Sequence, residues 1–208
     1  MTGPPPRPEP STSPEGDAEV VAQSLEQPEL FARLYDRYAS DIHRYAARRL
    51  GTGAADDITA ETFLIAFRTR ARYDTDRPNA RPWLYGIAGN LIGKQRRAEV
   101  RALRALARTG HDTVAESWTD LADDRVTAQS AHAPLAGALA ALPAGDRHVL
   151  LLVAWADLTY AEVAEALRIP VGTVRSRLNR ARRKVRSALG ADPAFTLDAT
   201  EVAQPWTT

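Results

Sequence analysis

Nine side chains near the carboxyl end have types and spacing suited to reading a DNA duplex: Tyr160, Thr173, Arg175, Ser176, Arg177, Asn179, Arg180, Arg182 and Arg183. An arginine can bridge two acceptors on guanine and an asparagine can bridge adenine, while further arginines neutralise phosphates. They lie in LTYAEVAEALRIPVGTVRSRLNRARRKVRSAL, residues 158–189. Thr159 and Glu162 stand three apart, as in a capping box, and predict a helix start at Thr159. Ile169-Pro170-Val171-Gly172 is expected to break that helix, because the residue before a proline is biased away from helical angles. A second helix is expected from Thr173, with Val174, Leu178, Ala181 and Val185 forming one apolar stripe. A capped short helix, a short turn and a cationic second helix make a helix-turn-helix pattern that predicts DNA binding. Arg175, Ser176, Asn179 and Arg180 would face base edges, with Tyr160, Arg177, Arg182 and Arg183 nearer phosphates.

A different chemistry is spelled by residues 53–70, GAADDITAETFLIAFRTR. Asp56, Asp57 and Glu61 form an acidic group, but no histidine or further acid completes a metal-ligand set. Two readings fit these carboxylates. They complement the dipole of a helix that begins there, or they form a docking face for a basic partner with Leu64 beside them. Ile58 and Ile65 make one apolar side of this helix, and Ala60, Phe63 and Phe67 make another. Such a helix is sandwiched in its own domain or shared with a partner.

A third group follows, where Trp83, Tyr85 and Asn90 are interleaved with Lys94, Arg96, Arg97, Arg101 and Arg104. Aromatics among cations can stack on unpaired bases while the cations follow the phosphate backbone. Burial of Trp83 as plain core fits the same letters.

These groups need helices to carry them. Phe31, Tyr35, Tyr38, Ile42 and Tyr45 recur at helical spacing and predict a core-facing helix closed by Gly51. After a polar loop at 71–81, a further core stripe comes from Leu84, Ile87, Ala88, Leu91 and Ile92. In the carboxyl half, Leu135, Leu139 and Leu142, then Val149, Leu150, Leu152, Val153 and Trp155, are expected to build a second core. The Pro-, Ser- and acid-rich start at 1–18 is expected to be disordered. The reading is all-α: a disordered extension at 1–27, a first domain at 28–110, a flexible acidic linker at 111–134 with helix resuming near Pro134, a helix-turn-helix domain at 135–189 and a tail at 190–208.

Composition narrows the classes further. The 208 residues suffice for one or two small domains. Cysteine is absent, which excludes disulfides and thiolate metal sites. No run of ~18 apolar residues occurs, and a soluble cytosolic protein is expected. The net charge of +1 conceals segregation: residues 31–110 carry sixteen bases against eight acids, and residues 111–140 one against five. Residues 141–190 again carry nine bases against four acids. Two basic blocks joined by an acidic one suggest two nucleic-acid-facing domains. His43, His111, His132 and His148 are scattered outside any metalloprotease spacing, and no phosphate-binding glycine loop or nucleophile–base pair is present. No catalytic activity, metal, cofactor or small-molecule substrate is expected.

The order of these segments resembles the sigma-70 family of bacterial RNA polymerase sigma factors, specifically the extracytoplasmic function (ECF) group. DDITAETFLIAF resembles the segment that docks on the polymerase clamp helices, PWLYGIAGN the reader of the −10 element, and LTYAEVAEALRIPVGTVRSRLNRARRKV the reader of the −35 element. The resemblance covers about residues 28–190. It implies core RNA polymerase, promoter DNA and an anti-sigma factor of unidentified nature as partners, in a bacterial cytoplasm at the nucleoid. Polymerase docking is implied for Asp56, Asp57, Glu61, Phe63, Leu64 and Phe67. Contact with −10 DNA is implied for Trp83, Tyr85, Asn90, Lys94, Arg96 and Arg97. Three positions depart from the common pattern: Ala60 where Gln often precedes the Glu, Gly89 where Arg often precedes the Asn, and Lys94 where Asp often follows that Asn. A stand-alone helix-turn-helix regulator, binding an operator without polymerase, is the alternative reading.

Overall fold

The computed structural model describes residues 16–109 and 125–189. Among these residues the secondary structure is helical: α1 (Asp17–Gln23), α2 (Ala32–Leu50), α3 (Thr52–Thr69), α4 (Arg81–Lys94), α5 (Arg96–Thr109), α6 (Arg125–Ala141), α7 (Ala144–Ala154), α8 (Tyr160–Leu167) and α9 (Val171–Leu189). Single turns of 3-10 helix at Pro28–Phe31 and Arg70–Arg72 join some of them. The segment at 110–124, the tail with Phe195 and Trp206, and residues 1–15 lie outside the described residues.

The first module is an antiparallel stack. Gly51, at φ 88°, lets the chain reverse between α2 and α3 where a side chain would be strained. α3 lies between α2 and α4. Its two apolar sides are thereby both covered: Phe31 packs edge-on to Phe67 at 5.4 Å and Tyr35 to Phe63 at 4.9 Å, while Ile58 is buried and Ile65 partly so. The stripe expected on α2 holds for Phe31, Ile42 and Tyr45, which are buried, whereas Tyr35 is 48% exposed.

The second module places α7, α8 and α9 around Val149, Leu152, Val163, Val174, Leu178 and Ala181, all buried. The capping box is present. Thr159 accepts from the Glu162 amide, and the Glu162 carboxylate accepts from the Thr159 amide at 2.8 Å. Arg168 ends α8 in the left-handed region at φ 51°.

Three boundaries differ from expectation. Disorder through residue 27 does not hold for Asp17–Gln23, which is helical because Val20 and Val21 fill the core and the Asp17 carboxylate finds buried donors. α6 begins at Arg125 and carries Pro134 inside it, so helix resumes earlier than Pro134. Packing of α6 against α5 offsets the backbone bond that the proline cannot make. α9 starts at Val171, two residues before Thr173, because the Pro170 carbonyl accepts from both Thr173 and Val174 and closes the first turn.

The two modules touch. α4 lies on α8 and α7 through a glycine face: a Cβ on Gly86 would stand 2.5 Å from the Ala166 carbonyl oxygen, and one on Gly89 would overlap the His148 ring. Polar contacts surround that face. Arg81 donates to the Ala156 carbonyl at 2.7 Å, Asn79 to Glu162 at 3.2 Å, and Arg77 pairs with Glu165 at 2.8 Å. Beneath them Glu99 of α5 sits buried between Arg49 of α2 and Arg147 of α7, at 2.5 and 3.0 Å.

This geometry predicts an unusual outcome for Gly86→Ala. Alanine favours a helix interior over glycine by about 1 kcal/mol, so α4 itself is strengthened, yet the methyl group meets backbone that cannot swing aside. The modules should part while each stays folded. Small-angle scattering should report a larger radius of gyration with unchanged helicity by circular dichroism; an unchanged radius would contradict the close-approach role of Gly86.

Candidate nucleic-acid and partner interfaces

The apolar stripe of α9 faces inward, which turns the opposite side of the helix to solvent. Arg175, Ser176, Asn179 and Arg183 are exposed there, one to two turns apart on one surface. The Ser176 hydroxyl donates back to the Thr173 carbonyl at 3.0 Å. Tyr160, Thr173, Arg177 and Arg182 are half-buried along the flanks, with the Arg177 guanidinium lying against Gly145. Arg180, expected at a base edge, is 47% exposed and held by a carboxylate of its own module. Its Nε and a terminal nitrogen donate to the two oxygens of Asp146 at 2.7 and 2.9 Å. That carboxylate, on the first turn of α7, is only 4% exposed. A bidentate bond of this kind fixes orientation as well as proximity. Arg180 therefore helps to fix how α9 sits on α7.

On α4 the expected group divides similarly. Asn90, Lys94 and Arg97 are exposed. The Arg96 side chain lies outside the described residues. Trp83 is half-buried with its ring 4.9 Å from Tyr73. Trp83, Ile87 and Asn90 line one wall of a cleft of about 430 Å³, and Glu165 and Arg168 of the second module line the other. Tyr85 corrects the expectation for it. It is 2% exposed, packed edge-on to Tyr45 at 5.2 Å with Arg81 over its ring, so it cannot stack on a base from that position. Burial pushes its hydroxyl up to about 12.

The acidic helix α3 presents a narrow exposed strip of Asp56, Asp57, Ala60, Glu61, Leu64 and Arg68. Leu64 is 45% exposed, a large apolar side chain set among carboxylates. Asp56 stands 3.0 Å from the His43 ring, and among the described residues no cluster of histidine and acid is arranged for a metal. Phe63 is buried against Tyr35 and supplies the floor beneath the strip, a correction to its expected surface role, while Phe67 is half-buried against Phe31. Tyr35, expected in the core, instead leaves its edge exposed beside Phe63. Sequence periodicity alone had no means of separating it from the rest of its stripe.

Where the modules meet, His148 is half-buried, with its Nε2 enclosed and lacking a hydrogen-bond partner. Burial first, then the charges of Arg49, Arg147 and Arg177, drive its pKa down to about 3, so the ring is neutral. Its place is the space left by Gly89 on α4.

Comparison with known proteins agrees with this two-module layout. A family model described as Sigma-70 region 2 matches residues 34–112, and one described as Sigma-70, region 4 matches residues 132–185. The "ECF RNA polymerase sigma factor SigL" of Mycobacterium tuberculosis is 35% identical over 174 residues, covering 83% of this chain and 96% of that protein. The "ECF RNA polymerase sigma factor SigW" of Bacillus subtilis is 31% identical over 169 residues, covering 76% and 88%. Among solved structures, CnrH in complex with the cytosolic domain of CnrY aligns with a TM-score of 0.58 and 27% identity, over 85% of this chain and 98% of that one. RpoE of Bartonella quintana, solved with the anti-sigma factor NepR, shares the fold at a TM-score of 0.55 and 20% identity.

The neutral His148 makes closure of the modules sensitive to acid. A histidine held near 3 when packed and near 6.5 when free binds its proton only in the unpacked state between those values. Its stabilisation is complete above pH 6.5 and is lost as pH falls toward 3. Denaturant unfolding at pH 7.5 and pH 5 should show a loss of about 2 kcal/mol attributable to this ring. His148→Gln, which cannot titrate, should flatten that difference; an equal pH slope in both proteins would contradict the assignment.

Proposed function

The chain belongs to the sigma-70 family of RNA polymerase sigma factors, in its ECF group, and from that premise we propose how its residues divide the work. The protein binds core RNA polymerase and directs promoter-specific initiation by reading −10 and −35 elements. Its first module, which we place at residues 17–109, docks on the polymerase through the exposed strip of α3, with Asp56, Asp57, Glu61 and Leu64 as the contacting groups. A carboxylate row around one protruding leucine suits a basic, partly apolar surface such as the clamp helices. Tyr35 borders the same strip and joins it.

The −10 element is assigned to α4. Asn90 and Trp83 share the cleft wall and would receive an unpaired base, with Lys94, Arg96 and Arg97 on the backbone. Extruding a base costs a few kcal/mol, which stacking and hydrogen bonding in such a cleft must offset. The −35 element is assigned to α9. Arg175, Ser176 and Asn179 enter the major groove, and Tyr160, Arg177, Arg182 and Arg183 hold the flanking phosphates. The observation that carries this reading is the coexistence, on one chain, of an exposed cationic recognition helix and an exposed acidic docking strip. A stand-alone operator-binding regulator would have no use for the second.

As a regulatory subunit the chain has no reaction of its own to catalyse, and we assign it no enzyme activity. Its place is the bacterial cytoplasm, at the nucleoid. Among the described residues no helix is long and apolar enough to cross a membrane. Because the solved relatives CnrH and RpoE are held by CnrY and NepR, an anti-sigma factor is the expected regulator of this chain also. Elements two helical turns apart on a duplex are separated by about 70 Å. α4 and α8 touch, so reading both elements requires the modules to part.

Run-off transcription of fragmented genomic DNA with purified core polymerase tests the whole reading. Discrete transcripts should appear only when the protein is added, and their start sites locate both elements. On such a promoter Arg175→Ala should cost about 1–3 kcal/mol and relax the preference at one −35 base, whereas Arg183→Ala should weaken binding evenly across sequences. Equal losses on promoter and scrambled DNA for both variants would refute the division of roles.

A further inference from the structure

The backbone at the start of α4 is held by a side chain 63 residues earlier in the chain. A helix leaves its first amides without internal acceptors, and each must find one elsewhere. In α4, Pro82 has no amide to satisfy, and the Arg81 amide donates to the Asn79 side chain at 2.9 Å. The amide of Ala80, the N-cap residue, donates to the Asp17 carboxylate at 2.8 Å. The same carboxylate accepts from the Tyr38 hydroxyl at 2.5 Å and pairs with Arg37, both on α2. Asp17 is 4% exposed, and Ala80 is fully buried. One anion thus ties α1, α2 and the positive end of α4 together, where a negative charge is favoured. The short α1 is fastened by Val20 and Val21 in the core, so the carboxylate has a fixed base.

Trp83 lies on the first turn of α4, and Asn90 two turns further along the same cleft. We infer that Asp17 is a positioning residue for −10 recognition, setting the azimuth and depth of α4 by holding its first turn against α2. The inference rests on the assignment of the −10 reader to α4. No nucleic acid touches Asp17; it acts through the Ala80 amide and the helix behind it. Loosening that turn shifts Trp83 and Asn90 relative to each other's target, and errors on the order of 1 Å in such placements carry large rate penalties. The bonds described to the Asp17 carboxylate come from α2 and the start of α4, and none from α3 or α9.

The test uses holoenzyme reconstituted from core RNA polymerase and the full chain, on a promoter mapped by run-off transcription. Two derivatives of that promoter carry one changed base in the −10 or in the −35 element. Asp17→Asn should reduce the ratio of cognate to −10-altered transcription by about tenfold while the corresponding −35 ratio stays within about twofold. A variant that is only less stable lowers the active fraction on every template alike and leaves both ratios unchanged; that result overturns the inference. Tyr38→Phe removes one donor to the carboxylate without altering charge. It should move the −10 ratio in the same direction by a smaller factor, and it decides the matter if Asp17→Asn does not fold. Asn90→Ala separates the two levels of the argument. If it shifts the −10 ratio while neither anchor variant does, the role of Asp17 falls alone. If none of the three does, the assignment of the −10 reader to α4 falls with it.

Discussion

The buried carboxylate of Glu99 governs how the two modules coexist. A charge removed from water needs a partner, and Glu99 has two: Arg49, on the helix beside it in the first module, and Arg147, from the second. Arg147 is itself 1% exposed and spends further donors on the Leu139 and Leu142 carbonyls at the end of α6. Removing one member of such a buried pair costs about 3–5 kcal/mol, although the intact pair adds little net stability over apolar packing. The arrangement therefore contributes direction more than strength. It defines one register in which α7 can meet α5, and it leaves each charge with water as an alternative partner when the modules separate. A purely apolar seam of the same extent would hold the modules together more tightly.

The rest of that seam follows the same logic. Arg77 with Glu165, Asn79 with Glu162 and Arg81 with a backbone carbonyl are contacts that water can replace. Glu162 serves twice, capping α8 through one oxygen and accepting from Asn79 through the other. The cap belongs to the second module alone and persists when the contact to the first is lost. Closure is thereby built on groups already needed for local folding, so opening does not unravel α8.

Local features were legible in the sequence because their physics is local. The capping box at Thr159 and Glu162, the stripe Val174-Leu178-Ala181 and the reversal at Gly51 each depend on residues a few positions apart, and each stands where periodicity and turn chemistry put it. What could not be read depends on contacts far along the chain. Arg175 and Arg180 look alike as letters; only Asp146 on another helix gives Arg180 an ion-pair partner within the chain. Phe63 and Phe67 form an apolar side on a helical wheel, but a wheel does not say whether α2 or a partner covers it. Asp17 sits at the edge of a Pro- and acid-rich stretch whose composition argues for disorder, and its worth lies in Tyr38 and the Ala80 amide.

The departures from the family pattern bear on this seam. Where relatives commonly carry arginine before the asparagine of the −10 motif, this chain has Gly89, and the space is taken by the His148 ring. An arginine there would place a long cation where a neutral imidazole now packs between Arg49, Arg147 and Arg177. Glycine at this position leaves a close seat for the second module. Closure thus uses one side of α4, that of Gly86 and Gly89, while Asn90 stands on the open side. The cleft has one wall from each module, so a nucleotide seated against Trp83 and Asn90, as proposed, would compete for space with Glu165 and the Arg77 guanidinium paired to it. If α4 reads the −10 element as proposed, its binding of DNA and separation of the modules are coupled in one equilibrium, each favouring the other.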